Sequence, residues 1–189
     1  GMIEQVIGEI GILNNFYEYQ LYCKSLYASM QKFNKNTIQS LKHKTEEEYI
    51  EDMYTKYRPT KIECNNIFSI DPKKSTDYDD AFSINKVLIC GQEIGYQISI
   101  YISNVSFWMD HLELWNSFSD RISTIYLPDR KRPMLPTVLS DALCSLQENR
   151  WRFAFTLNII FDEEGNIYDT EYTNTCIKVH RNYIYEEQD

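Results

Sequence analysis

At Pro59 the hydrophobic rhythm of this chain changes, and that change limits the fold more than any other feature. Before it, Leu13, Phe16, Tyr17, Leu21, Tyr27, Met30 and Phe33 roughly follow a 3.6-residue repeat, the period of a helix with one apolar face. Thr45-Glu46-Glu47-Glu48 has the form of a capping box, with the threonine hydroxyl accepting from the third amide while Glu48 reaches back. It predicts a second helix whose apolar face carries Ile50, Met53, Tyr54 and Tyr57, with residues 46–52 as a solvated acidic face. Pro59 cannot continue that helix. Beyond it the period becomes two. Residues 67–71 and 80–89 read as strands, and Gly91 and Gly95 as a turn. Ile98, Ile100 and Ile102 alternate with Gln97, Ser99 and Tyr101, which predicts a strand with one buried face. Asp110 is placed to cap a helix bearing Leu112, Trp115, Phe118 and Ile122. A loop with Pro128, Pro133 and Pro136 leads to a short helix over 138–146. Trp151, Phe153, Phe155, Leu157, Ile159 and Phe161 alternate strictly, and 162–166 turn into a last strand over 167–179. Helices first and hairpin-connected strands later predict an α+β fold: N-terminal helices followed by a mostly antiparallel twisted sheet with helices packed on it. Residues 1–60 are the helical lead-in and 61–189 the sheet-forming part.

Composition narrows the function. The formal net charge of −9 argues against a surface that grips nucleic acid all over, but permits a local basic path or carboxylates that hold metal ions. No apolar run reaches the length of a membrane span and no signal-peptide pattern opens the chain, so no membrane partner is expected. The cysteines, Cys23, Cys64, Cys90, Cys144 and Cys176, are odd in number and widely spaced. Reduced thiols in an intracellular compartment, cytoplasmic or nuclear, fit that pattern. His43, His111 and His180 are scattered and read as surface or packed residues.

Residues 69–81, S-I-D-P-K-K-S-T-D-Y-D-D-A, place Asp71, Asp77, Asp79 and Asp80 in a loop between two strand-like runs. Carboxylates that close repel one another, and burying them is costly unless a cation offsets the charge. Hard oxygen ligands of this kind suit Mg²⁺ or Mn²⁺. A solvated Asp-rich turn is the other reading of the cluster taken alone. A calcium loop of the EF-hand type fails for want of a glycine at the sixth position and a glutamate at the twelfth.

The stretch resembles the ribonuclease II/R (RNB) family of 3′→5′ exoribonucleases, whose motif reads I-D-P-x-x-x-x-D-x-D-D-A. Further matches follow in order. I-Y-I-S-N-V-S-F-W-M at 100–109 is similar to the family's V-H-I-A-D-V-S-x-x-V. R-I-S-T-I-Y-L-P at 121–128 is similar to R-x-T-S-V-Y-x-P, and M-L-P-T-V-L-S-D-A-L-C-S-L at 134–146 to M-L-P-x-x-L-S-x-x-L-C-S-L. Residues 183–186 resemble a later segment ending in a tyrosine. Ile7-Gly8-Glu9-Ile10-Gly11 weakly resembles the start of the family's catalytic domain.

The resemblance implies hydrolysis of single-stranded RNA from its 3′ end to nucleoside 5′-monophosphates by divalent-metal catalysis. Asp71, Asp77, Asp79 and Asp80 would hold the metal, with Asp79 and Asp80 carrying most of the catalysis. Tyr126 and Tyr185 would stack on RNA bases, a contact indifferent to sequence. Arg121 would touch RNA, while Arg130, Lys131 and Arg132 form either a phosphate path or a loop charged for solubility. Lys73 and Lys74 read as solvated, Ser140 as a turn or cap residue, and Cys144 as packed core. Tyr101, Asn104 and Phe107 depart from the family's usual His, Asp and His. The family's R-R-Y-x-D segment, whose arginine contacts the scissile phosphate, does not occur in these 189 residues, and none of the family's flanking OB domains is expected within them. The expectation is therefore the N-terminal half of an RNB-like catalytic domain, within a longer chain or completed by a second one. The alternative is a catalytically inactive binding or assembly module.

Overall fold

The computed structural model describes residues 2–3, 5–63, 66–89 and 93–185. Three helices come first: α1 (Leu13–Cys23), α2 (Gln31–Ser40) and α3 (Glu46–Tyr57). The repeat from Leu13 to Phe33 is thus two helices, parted at Ser25, which adopts a positive φ of 56°. The capping box forms as the sequence predicts. Glu48 N donates to Thr45 Oγ1 and Thr45 N to Glu48 Oε2, a cap of about 1 kcal/mol. α3 ends at Arg58 in the left-handed region, directly before Pro59.

The strands are β1 (Thr60–Ile62), β2 (Phe68–Asp71), β3 (Asp80–Ile89), β4 (Glu93–Ser103), β5 (Ile125–Tyr126), β6 (Lys131–Arg132), β7 (Trp151–Asp162), β8 (Ile167–Lys178) and β9 (Arg181–Ile184). Seven form one sheet in the order β1-β8-β7-β4-β3-β2-β9, antiparallel except for β1–β8 and β2–β9. β5 and β6 make a separate hairpin. The α+β architecture matches the expectation. The turn expected at Gly91 and Gly95 is corrected in part: Gly95 lies within β4, paired with Val87 and Asp162, and Gly91 lies outside the described residues, as do Cys64, Cys90 and Glu186. The helix expected to start at Asp110 instead nearly ends there, as α4 (Val105–His111), which contains it. Only a 3₁₀ turn, Trp115–Ser117, follows, and Asp110 instead accepts a hydrogen bond from the Trp115 indole. No helix among the described residues is long and apolar enough to cross a membrane.

The sheet's two faces are buried unequally. Helices α2, α3 and α4 pack on one end through Phe33, Met53, Trp108, Phe153 and Cys176. Beyond them that face stays open, leaving Ile102 and Phe155 each 47% exposed. The opposite face is the buried one: Ala81, Tyr101, Ala154 and Ile177 join a second core cluster there, beside hydroxyl side chains that bond one another. Ser83 bonds Tyr101 at 3.0 Å, Thr156 bonds Thr175 at 2.7 Å, and Ser99 donates to Asn158 at 2.7 Å. In β4 Ser99 and Tyr101 are therefore buried and Ile98, Ile100 and Ile102 are not, because register places Ser99 and Tyr101 opposite partners that satisfy their polar atoms.

Candidate metal and RNA site

The aspartates sit on a loop clamped from below. Asp71 ends β2 and Asp80 begins β3, so the sheet fixes both ends of the segment between them. Ser145, fully buried, holds its middle: Tyr78 N donates to Ser145 Oγ at 3.1 Å, and that hydroxyl donates to Thr76 O at 2.9 Å. Leu146 N adds a bond to Tyr78 O at 2.8 Å, and Ser103 N one to Asp79 O at 2.8 Å. Ser145 is fixed in turn by Arg152, 2% exposed, whose Nε donates to Ser145 O at 2.9 Å and whose Nη2 donates to Ala142 O at 3.0 Å. Arg152 Nη1 pairs with Glu46 at 2.7 Å. The L-S-D-A-L-C-S-L segment thus does mechanical work for the aspartate loop. It turns as a π-helix, Leu139–Leu143, which brings Asp141, Cys144 and Ser145 to bear on that loop and its flanks. Cys144 is packed core, and burial pushes its thiol up to about 12.

The four aspartates differ in their surroundings. Burial raises the Asp71 carboxyl, opposed by the Ser69 hydroxyl and helped by the charges of Asp80 and Asp77. Its Oδ2 is buried and accepts no hydrogen bond. Asp79 keeps solvent contact, yet protein around its carboxyl desolvates it; this raises its pKa, and Asp77, Asp80 and Asp71 raise it further against Lys131. Asp77 is paired: Lys131 Nζ lies 3.1 Å from Asp77 Oδ2. The same ammonium lies 3.3 Å from Asp141 Oδ2, which also accepts from Thr76 at 3.0 Å. At Asp141 burial pushes upward, but bonds from Ser140 and Thr76 together with the Lys131 charge outweigh it and hold the carboxyl below its usual value.

The loop therefore brings the aspartates within electrostatic reach without closing them on a point. Among the described residues no three acidic, imidazole or thiol side chains form a ready set of metal ligands. The chemistry of the donors still fits a hard divalent cation. The set is all carboxylate oxygen, one oxygen is buried with no donor, and two acids are destabilised in their charged form by burial and by one another.

Both tyrosines singled out from the sequence stand beside this loop. Tyr185 N donates to Asp71 O at 3.1 Å, because β9 runs parallel to β2 with Ile184 opposite Asp71. Its ring is exposed. Tyr126, 75% exposed, is the register partner of Lys131 in the β5–β6 hairpin, and Lys131 ties that hairpin to Asp77. Arg121 points inward: its terminal nitrogens donate to Pro133 O at 2.7 Å and Ala28 O at 2.8 Å, which anchors the start of the hairpin segment to the connection between α1 and α2. Arg130 lies over the Tyr17 ring and Arg132 pairs with Glu18, so the basic run is engaged within the molecule. Lys73 and Lys74 are exposed. Sequence reasoning missed Ser145, Arg152 and Asp141. Only Ser145 lay within a quoted motif at a fixed position; nothing local marks Arg152, whose partners are set by long-range packing.

Comparison with known proteins agrees with this geometry. The family profile described as RNB domain matches residues 59–189. Ribonuclease R of Aquifex aeolicus is 36% identical over 121 residues, which is 64% of this chain and 17% of that protein. Ribonuclease R of Ureaplasma parvum is 32% identical over 140 residues, 74% of this chain and 19% of that protein. The solved Mycoplasma genitalium RNase R in complex with ribose-methylated single-stranded RNA shares the fold, with a TM-score of 0.74 at 22% identity over 97% of this chain and 27% of its own. The chain spans less than a fifth of the length of the two curated relatives.

Proposed function

The chain belongs to the RNB domain family, and on that premise we propose that it forms part of a 3′→5′ exoribonuclease that hydrolyses single-stranded RNA with Mg²⁺ or Mn²⁺. The observation that carries the reading is the unpartnered, buried Oδ2 of Asp71 next to the desolvated Asp79, on a loop that the rest of the fold holds rigidly. Asp71, Asp79 and Asp80 would hold metal, and Asp77 would join them on leaving Lys131. When bound, divalent ions lower the pKa of an attacking water and stabilise the leaving 3′-oxygen. The chain's own residues fix the site before substrate arrives. Ser145 and Arg152 set the loop, and the exposed rings of Tyr126 and Tyr185 would offer stacking surfaces near it, where any base fits.

The test uses 5′-labelled single-stranded RNA with Mg²⁺, comparing the chain with Asp79→Asn and Asp80→Asn. Stepwise shortening from the 3′ end that both substitutions abolish is the expected result. Equal cleavage by all three proteins rejects the assignment. A second reading, a non-catalytic binding or assembly module, is favoured by one observation: Lys131 already neutralises part of the acidic cluster. RNA retained on a filter by a wild-type chain that never shortens it would select that reading.

A further inference from the structure

Lys131, read from the sequence with Arg130 and Arg132 as either a phosphate path or a loop charged for solubility, instead faces two carboxylates. It lies on β6, in a hairpin anchored by Arg132 to Glu18 of α1 and by Arg130 over Tyr17. Those flanking contacts fix the backbone, so the Lys131 stem is held toward the aspartate loop. Its ammonium lies 3.1 Å from Asp77 Oδ2 and 3.3 Å from Asp141 Oδ2, with the side chain 29% exposed. Two carboxylates from different segments thus converge on one ammonium, inside the very cluster proposed to take a divalent ion. We propose that Lys131 is a tethered counter-cation of the aspartate site, which neutralises Asp77 and Asp141 in the ion-free protein and is displaced when a divalent ion binds.

The inference rests on the metal reading above and deepens it. A lysine ammonium is a compact charge on a flexible four-carbon stem, so it can withdraw without moving the hairpin backbone. While in place it repels an incoming cation and occupies Asp77. Together these effects weaken ion binding and explain why the described carboxylates do not close into a ligand set. Its withdrawal would also release an ammonium next to Tyr126, its register partner. Ion loading and the state of the proposed stacking hairpin are thereby linked.

Titration calorimetry with Mn²⁺ on the wild-type chain, Lys131→Met and Lys131→Arg tests this. Removing the ammonium is expected to tighten Mn²⁺ binding about tenfold, while Lys131→Arg stays near the wild-type affinity. Equal or weaker binding by Lys131→Met overturns the inference and leaves the metal reading intact. Absence of Mn²⁺ binding in all three proteins overturns both. A second measurement needs no variant: the Lys131 ammonium resonance of the wild-type chain, followed by NMR as Mg²⁺ is added. A shift that saturates with ion binding supports displacement, and an unmoved signal at saturating Mg²⁺ contradicts it.

Discussion

The aspartate site has two halves, and they are in opposite electrostatic states. Asp77, with Asp141 from the π-helical turn, faces Lys131, and the Asp141 carboxyl is held below its usual value. Asp71 and Asp79 face no fixed cation at hydrogen-bond distance, and both are raised by burial and by neighbouring carboxylates. Sequence type does not separate the halves, since all four are aspartates. What separates them is the hairpin that delivers one ammonium to one side. The lesson is that this fold satisfies part of its acidic cluster by itself and leaves the remainder short of positive charge.

The largest effect should come from the unsatisfied half. Asp79→Asn is expected to lower Mg²⁺-dependent RNA cleavage about a hundredfold, whereas Asp141→Asn should lower it less than about threefold. Equal losses measured by gel assay would erase the distinction between the halves. Next comes the clamp beneath both. Ser145→Ala removes a buried donor and acceptor that join Thr76 and Tyr78, so urea unfolding should show a loss of about 2 kcal/mol. Loss of metal binding with unchanged stability would mean that Ser145 acts other than by holding the loop.

The pH dependence separates the halves by sign. A carboxyl raised in the folded state binds its proton more tightly there than in the unfolded chain. Asp71 therefore contributes stability below the ordinary value of 3.8, and that contribution is lost as pH rises through its folded value. Asp141 behaves oppositely: its contribution is present above 3.8 and is lost as pH falls through its lowered value. Without metal, Asp71→Asn should stabilise the protein at pH 7 by about 1 kcal/mol after allowance for solvent screening. Asp141→Asn should destabilise it there. The Asp71 difference should shrink as pH falls through its raised value toward 3.8, and the Asp141 difference only below 3.8, through its lowered value. Thermal melts across that range check the pair, and the same sign for both variants would contradict the assignment. The smallest effect is expected from Thr76→Val. It removes one bond to Asp141 and should cost about 0.5 kcal/mol, without touching the Asp71 side.

How much of this was legible in the sequence follows from the range of the forces involved. The capping box at Thr45, the end of α3 before Pro59 and the extent of β3 depend on neighbours in the chain, and they fold as local chemistry predicts. The buried face of β4 was not legible. Its isoleucines indicate one side, but Ser99 and Tyr101 are buried because Ser83, Thr156 and Asn158 arrive on neighbouring strands. The aspartate positions were visible from spacing and from resemblance. Their inequality was not, since it depends on Lys131 reaching across 54 residues and Asp141 across a π-helical turn. Arg152 gave no local signal at all. It sits in an alternating strand where a buried arginine is unexpected, and the carbonyls of Ala142, Ser145 and Trp151, together with Glu46, make its burial tolerable.

The central claim is that the charge-deficient half of this site is where a divalent ion binds. Crystals soaked in Mn²⁺ and measured at the manganese absorption edge test it most directly. The account predicts anomalous density bounded by the carboxylates of Asp71, Asp79 and Asp80. Density confined to other carboxylates, or none at Mn²⁺ concentrations that saturate binding in solution, would contradict it.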